Sequence, residues 1–271
     1  KKDVRHLNAG LRKFKDFLSV HYPIYQAAIK PEQLTKEMMS AFVAYLESKS
    51  KGEGAHTVYQ RFKKVVKYAY ENGILKQNPC NGVICKIDTQ TLKKDVLSME
   101  EVQRLIQTSY PGQSQTIRRA FIFSLYTGIR FCDIIELKYS NVDYANMLLS
   151  FEQTKTKGHS ANSGVVIPLN ESHLQLIGPK PETDDRIFPL PSHTMCLKAL
   201  RHWTKRAEID KHITWHCARH SFAVNILNNG ANIKTVASLL GHSGLKSTEK
   251  YTRAVDKLKQ EAINSLPEIK L

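Results

Sequence analysis

Residues 239–253 read LLGHSGLKSTEKYTR. Leu239 and Leu240 close an apolar run, and Gly241 follows at once. A glycine just past the last periodic residue is a common helix stop, because it takes the left-handed conformation without steric cost. His242 comes directly after this stop, and Tyr251 follows in a polar segment. Read alone, Tyr251 is a half-buried aromatic with a hydrogen-bonded hydroxyl. The competing reading makes that hydroxyl a reactive atom, which requires partners elsewhere in the chain.

The chain has 271 residues, of which 41 % are hydrophobic, enough for two domains with cores of their own. Its formal net charge is +15 and its pI about 9.5. Such an excess suits a polyanionic partner, most often nucleic acid, although a merely soluble basic protein carries the same charge. Residues 1–95 hold 18 basic against 9 acidic side chains, and the remainder holds 22 against 16. Both halves are therefore basic, as expected if one partner touches both. No apolar run reaches the roughly 18 residues of a membrane span, and no secretory signal pattern is present. The five cysteines are odd in number and scattered, which fits reduced thiols in the cytoplasm. Beginning at Lys1 rather than Met, the chain reads as a piece of a longer protein.

Residues 1–86 read as a helical domain. One helix is expected from about Val4 to Val20. A second is capped by Thr35, with Met38, Met39, Phe42, Val43 and Leu46 on one stripe. A third, HTVYQRFKKVVKYAYENG, ends at Gly73. Its polar face offers Arg61, Lys63, Lys64 and Lys67 for DNA, or simply for solvent. Residues 87–97 read as a linker. A second domain, 98–271, opens with Ser98 and Glu101 spaced as a capping box. Helices are expected through RRAFIFSLYTG and CDIIELKYSNV. MLLSFEQ and GVVIPL then predict a β-hairpin around the turn-prone TKTKGHSANS. Helices resume near Ser192 and continue into a C-terminal tail helix. The fold class is mainly α, with a small antiparallel sheet in the second domain.

Four stretches of that domain hold side chains suited to chemistry: LYTGIRFCDI, FEQTKTKG, TWHCARHSFAV and the opening segment. Each has a plain structural reading. Arg130 fits a surface ion pair, Lys155 an exposed lysine, and His216 with Arg219 a polar pair on one face of a helix capped by Thr214. His216 and His220 have the i, i+4 spacing of zinc ligands, but no glutamate follows His216 as a metalloprotease requires, and the reading here is no metal. The segment ANIKTVASLLGHSGLKSTEKYTRAV also resembles a repressor-type helix-turn-helix. A DNA-binding regulator would explain that segment and the charge, and would leave the other three stretches unexplained.

Taken in order, the four stretches resemble the boxes of the tyrosine recombinases, the phage integrase family. TGIRFCDI resembles its first-arginine box, HCARHSFA its H-x-x-R box, and LLGHSGLKSTEKYTR the box ending in the nucleophile. The likeness covers about 98–255 well. Over 1–86 it rests on helical, basic character and the closing NGILKQNP. Its style points to integrases of conjugative or mobilisable elements. The resemblance implies the catalytic fold of that family and a core-type DNA-binding domain ahead of it. It implies Tyr251 as nucleophile, Arg130 and Arg219 as a phosphate clamp, and Lys155, in competition with Lys157, as general acid. His216 would assist proton transfer at the tyrosine or bond the phosphate, and His242 would donate to the phosphate. Asp133 would orient the arginine or the histidine. The implied partners are double-stranded recombination sites, a homotetramer and accessory DNA-bending proteins, with no cofactor and no membrane. The implied setting is the bacterial cytoplasm and nucleoid. The tail AVDKLKQEAINSL would pack on a neighbouring protomer or back on its own domain. Positive charge near Tyr251 is expected to help it ionise. A type IB topoisomerase uses similar chemistry and is the other enzyme reading.

Overall fold

The computed structural model describes residues 2–50, 53–86, 95–154 and 164–252. Contacts divide the chain into two units, 1–93 and 94–271. Among the described residues no helix is long and apolar enough to cross a membrane.

The first unit is built from α1 (Lys2–His21), α2 (Lys36–Lys49) and α3 (Glu53–Glu71). Thr35 caps α2 by accepting a hydrogen bond from the Met38 amide, and the expected stripe from Met38 to Leu46 is buried. Phe14 and Phe17 of α1 meet Phe42 of α2 and Phe62 of α3, with Phe14 edge-on to Phe42 at 5.0 Å. Gly10 sets the α1–α3 spacing: a Cβ there would lie 3.1 Å from the Phe62 amide nitrogen. Gly73, at φ 71°, ends the turn after α3 as the sequence predicted.

The second unit opens with α4 (Met99–Gln107). The Ser98 hydroxyl accepts from the Glu101 amide, and Glu101 accepts from the Ser98 amide at 2.8 Å. Lys211 adds an ion pair to the same carboxylate at 2.6 Å. Ser98→Ala should therefore lower the stability of this unit by about 1 kcal/mol, read as a shift in its urea midpoint.

α5 (Gln115–Thr127) follows, and Gly128 closes it in the left-handed conformation at φ 69°. The helix expected over CDIIELKYSNV is cut short. Only α6 (Phe131–Ile134) forms before a turn. The Leu137 carbonyl is taken by the Ile187 amide, which draws the chain into extended structure. Val142–Asp143 then forms an edge strand, β1, that the sequence did not signal. β2 (Leu148–Glu152) and β3 (Gly164–Pro168) make the predicted antiparallel pair, with Leu149 opposite Ile167 and Phe151 opposite Val165. The sheet order is β1-β2-β3. The short helix α7 (Glu171–Ile177) was also missed. Its capping box pairs Asn170 with His173 rather than with an acidic residue or glutamine, so the usual signature is absent.

α8 (His193–Arg206) anchors to α4 through the Trp203 indole, which donates to the carbonyls of Leu105 and Thr108. α9 (Trp215–Asn228) lies at the centre, with Trp215 and residues 217–225 buried on every side. Its polar residues are therefore obliged to bond inside the protein. Ser221 accepts from the Leu97 amide, and Asn225 donates to the Leu97 carbonyl. α10 (Ile233–Leu239) and α11 (Lys246–Thr252) pack on α9 around Phe222, Val236 and Leu240.

Candidate active site

Three chain ends and one central helix meet here. Gly128 ends α5, Gly241 follows α10, and Gln153 ends the β2 strand beside them. A Cβ at Gly128 would stand 2.5 Å from the Phe222 ring, so only glycine lets the α5 end approach α9 this closely.

Arg219, on α9, is 3 % exposed. One guanidinium nitrogen donates to the Gly128 carbonyl at 2.8 Å, and the other to the Leu240 carbonyl at 2.6 Å. A carbonyl ending a helix carries partial negative charge and suits a cation. Gln153 donates to the same Leu240 oxygen at 2.9 Å. The second Arg219 nitrogen also reaches His242 Nε2 at 3.0 Å. An arginine only donates, so Nε2 accepts, and the His242 proton sits on Nδ1, facing the Thr248 hydroxyl at 2.7 Å. Burial, then the charge of Arg130, holds Arg219 down to about 10, which leaves it cationic at neutral pH.

Arg130 stands at the N-terminus of α6, beside the end of α5, and its side chain keeps some exposure. Asp133, buried on α6, lies 3.9 Å from Arg130 Nη1. Its other oxygen accepts from the Thr154 amide at 2.8 Å. Arg130 Nη1 and Asp133 Oδ2 are buried and make no hydrogen bond among the described residues. Among the described residues this guanidinium nitrogen therefore has an ion-pair partner but no hydrogen-bond acceptor.

Tyr251, on α11, is 4 % exposed and packs with Phe222, Val236 and Leu240. Its hydroxyl is 2.8 Å from His220 Nδ1. Burial raises its pKa, and the nearby charges of Arg219 and Arg130 offset only part of that rise. The two guanidiniums therefore act in the expected direction, towards ionisation. In this packing desolvation outweighs both guanidiniums, and the phenol is held protonated. The unfolded chain would then ionise first, so this contribution is fully present below about pH 10 and is lost as pH rises through the folded value. Tyr251→Phe should flatten the alkaline fall in stability, measured by urea unfolding between about pH 9 and pH 11.

His216 lies one turn before His220 on α9 and is exposed, with the two rings perpendicular at 4.5 Å. The hydrogen bond to the Tyr251 hydroxyl comes from His220, which the sequence reading weighed only as a metal ligand. The signal was present in H-x-x-R-H: a histidine next to the buried arginine, one turn from the first. Thr248 and the Leu240 carbonyl are further members that no residue pattern reveals. Thr248 and Tyr251 both turn inward, opposite to what a groove-reading second helix needs, which counts against the helix-turn-helix reading. Lys155 and the tail residues Val255, Leu258, Ala262 and Leu266 lie outside the described residues. In the first unit, Lys64 of α3 is exposed, Arg61 is half-buried, Lys63 sits 5.8 Å over the Tyr59 ring, and Lys67 pairs with Glu71 at 3.4 Å.

Comparison with known proteins bears on the family of the chain. A Phage integrase family model matches residues 95–257, and a Phage integrase SAM-like domain model matches residues 1–87. Tyrosine recombinase XerD of Listeria innocua is 29 % identical over 241 residues, covering 82 % of this chain and 79 % of that protein. The Staphylococcus aureus XerD is 26 % identical over 262 residues, covering 89 % and 84 %. A lambda integrase dimer bound to a core site shares the fold with a TM-score of 0.72 at 16 % identity, covering 100 % of this chain and 93 % of that one. XerH recombinase bound to its difH substrate gives a TM-score of 0.75 at 14 % identity, covering 97 % and 79 %. With both of its units matched by these family models, the chain belongs to the phage integrase family.

Proposed function

We propose that this chain is a site-specific tyrosine recombinase that integrates or excises a mobile element through a covalent 3′-phosphotyrosine intermediate. The observation that carries the reading is the convergence of Tyr251 with two guanidiniums, Arg130 and Arg219, whose charges act on the phenol and on one another. Two cations whose charges repel each other suit a phosphate that both can bond. Its pentacoordinate transition state gathers negative charge on the non-bridging oxygens, which paired guanidinium donors stabilise. The Tyr251 Oη attacks phosphorus and the 5′-oxygen leaves, taking its proton from Lys155 as general acid. His216 supplies a further hydrogen bond to the phosphate, and His242 does so once its Nε2 is protonated and turned from Arg219 to the phosphate. Asp133 orients Arg130. The phosphoester keeps the bond energy, so rejoining needs no nucleotide.

Arg61, Lys63, Lys64 and Lys67 would track the DNA backbone from the first unit. The working assembly would be a homotetramer on two sites, with accessory DNA-bending proteins, acting on nucleoid DNA in the bacterial cytoplasm. The test is covalent capture. The full chain is expressed in its bacterial host, the lysate is denatured, and DNA still attached to the protein is sequenced. A defined sequence on the wild-type chain, absent from Tyr251→Phe, supports the reading. No attached DNA would leave a DNA-binding regulator as the better account. Attached DNA without sequence preference, with plasmid relaxation, would favour a type IB topoisomerase.

A further inference from the structure

We propose that His220 is the proton acceptor for Tyr251: its Nδ1 takes the phenolic proton as Oη bonds to phosphorus, and returns it when the strand is rejoined. The proposal rests on the reading of Tyr251 as the nucleophile. Three observations lead to it. The Nδ1–Oη distance is 2.8 Å, and both side chains are buried. The phenol is held in its protonated form by burial, so attack requires that the proton go somewhere. The two guanidiniums whose charges reach the phenol cannot accept the proton in its place. Arg219 and Arg130 are donors only. His242 has Nε2 facing Arg219 and Nδ1 facing Thr248. His216 stands against the His220 ring, on the exposed side.

The step balances. Oη–P forms, P–O5′ breaks, the phenolic proton moves to Nδ1, and the 5′-oxygen takes a proton from the general acid. The imidazolium so formed adds positive charge beside a phenol that already feels Arg219 and Arg130, and the arriving phosphate offsets that repulsion. Religation runs the same transfers backwards.

The test uses a nicked duplex carrying the sequence trapped on the wild-type chain, with adduct formation timed in a single turnover. His220→Gln keeps a hydrogen-bonding side chain without a basic nitrogen. It should slow cleavage by about 10²-fold near pH 7. Its rate should then climb with pH where the wild-type rate is flat, since phenolate must come from solution. Replacing Tyr251 by 3-fluorotyrosine, a more acidic phenol, should recover most of the loss in His220→Gln and change the wild-type little. Retained binding to the duplex and an unchanged urea midpoint establish that the variant is folded, and His220→Asn substitutes if they fail. A His220→Gln rate within twofold of wild-type at every pH overturns the proposal. So does faster cleavage, which would make the hydrogen bond a restraint on Tyr251, or a slow variant that 3-fluorotyrosine does not rescue. If Tyr251→Phe still forms the adduct, the nucleophile reading itself falls, a separate outcome.

Discussion

Arg219→Ala is expected to cut strand cleavage by about 10²–10³-fold and to destabilise the second unit by about 1–3 kcal/mol. Both effects come from one side chain. The guanidinium joins the Gly128 carbonyl to the Leu240 carbonyl and reaches His242 as well. Its removal leaves the buried Gly128 oxygen without that donor, although Leu240 keeps the Gln153 amide. Arg219→Lys separates the two effects. A lysine keeps the charge, but one ammonium cannot reproduce the planar fork that spans two carbonyls and still faces a phosphate. Its cleavage rate should stay close to that of alanine. Single-turnover cleavage and urea unfolding read the two effects. Wild-type cleavage by Arg219→Lys would sink the clamp.

Gly241→Ala should be as damaging without touching any reacting group. A Cβ there would stand 2.3 Å from Gln153 Nε2 and 2.5 Å from Val165 Cγ2, at φ +60°. Val165 is buried in β3, and the Gln153 amide is bonded to Leu240, so neither neighbour gives way freely. Overpacking and the left-handed backbone together should cost about 2–5 kcal/mol. The chain would shift where His242 leaves the helix end, and its contact with Arg219 would loosen. Gly244→Ala is the control, because a Cβ there meets nothing within 4 Å. It should stay within about 0.5 kcal/mol of wild-type and cleave normally. Equal behaviour of the two variants would show that the turn at Gly241 has no special steric demand.

Much of the scaffold was legible because its signals are local. The caps at Thr35 and Ser98, the stripe from Met38 to Leu46, and the β-branched and aromatic residues of 147–153 and 164–169 depend on neighbours within a few residues. Misses arose where a distant partner took over. Ile187 drew Leu137 out of the expected helix, and a histidine-based cap hid α7. α9 was readable as a helix but not as the buried axis of the unit, since all-round burial leaves no stripe to read.

The same division holds at the site. Which residues are available is readable from their order and type: Arg130, Asp133, Arg219, His242 and Tyr251 stand in recognisable boxes, and Gly241 marks the turn that presents two of them. Their partners come from the packing of the folded unit. It placed two carbonyls against Arg219, Thr248 behind His242, and His220 rather than a cation at the Tyr251 hydroxyl. It also set the net shift of the phenol, because the desolvation that outweighs the two guanidiniums depends on how completely α9, α10 and α11 enclose Tyr251. Residue type and spacing fix what a side chain can donate or accept. Burial and distance, set by contacts far apart in sequence, fix which of those bonds form.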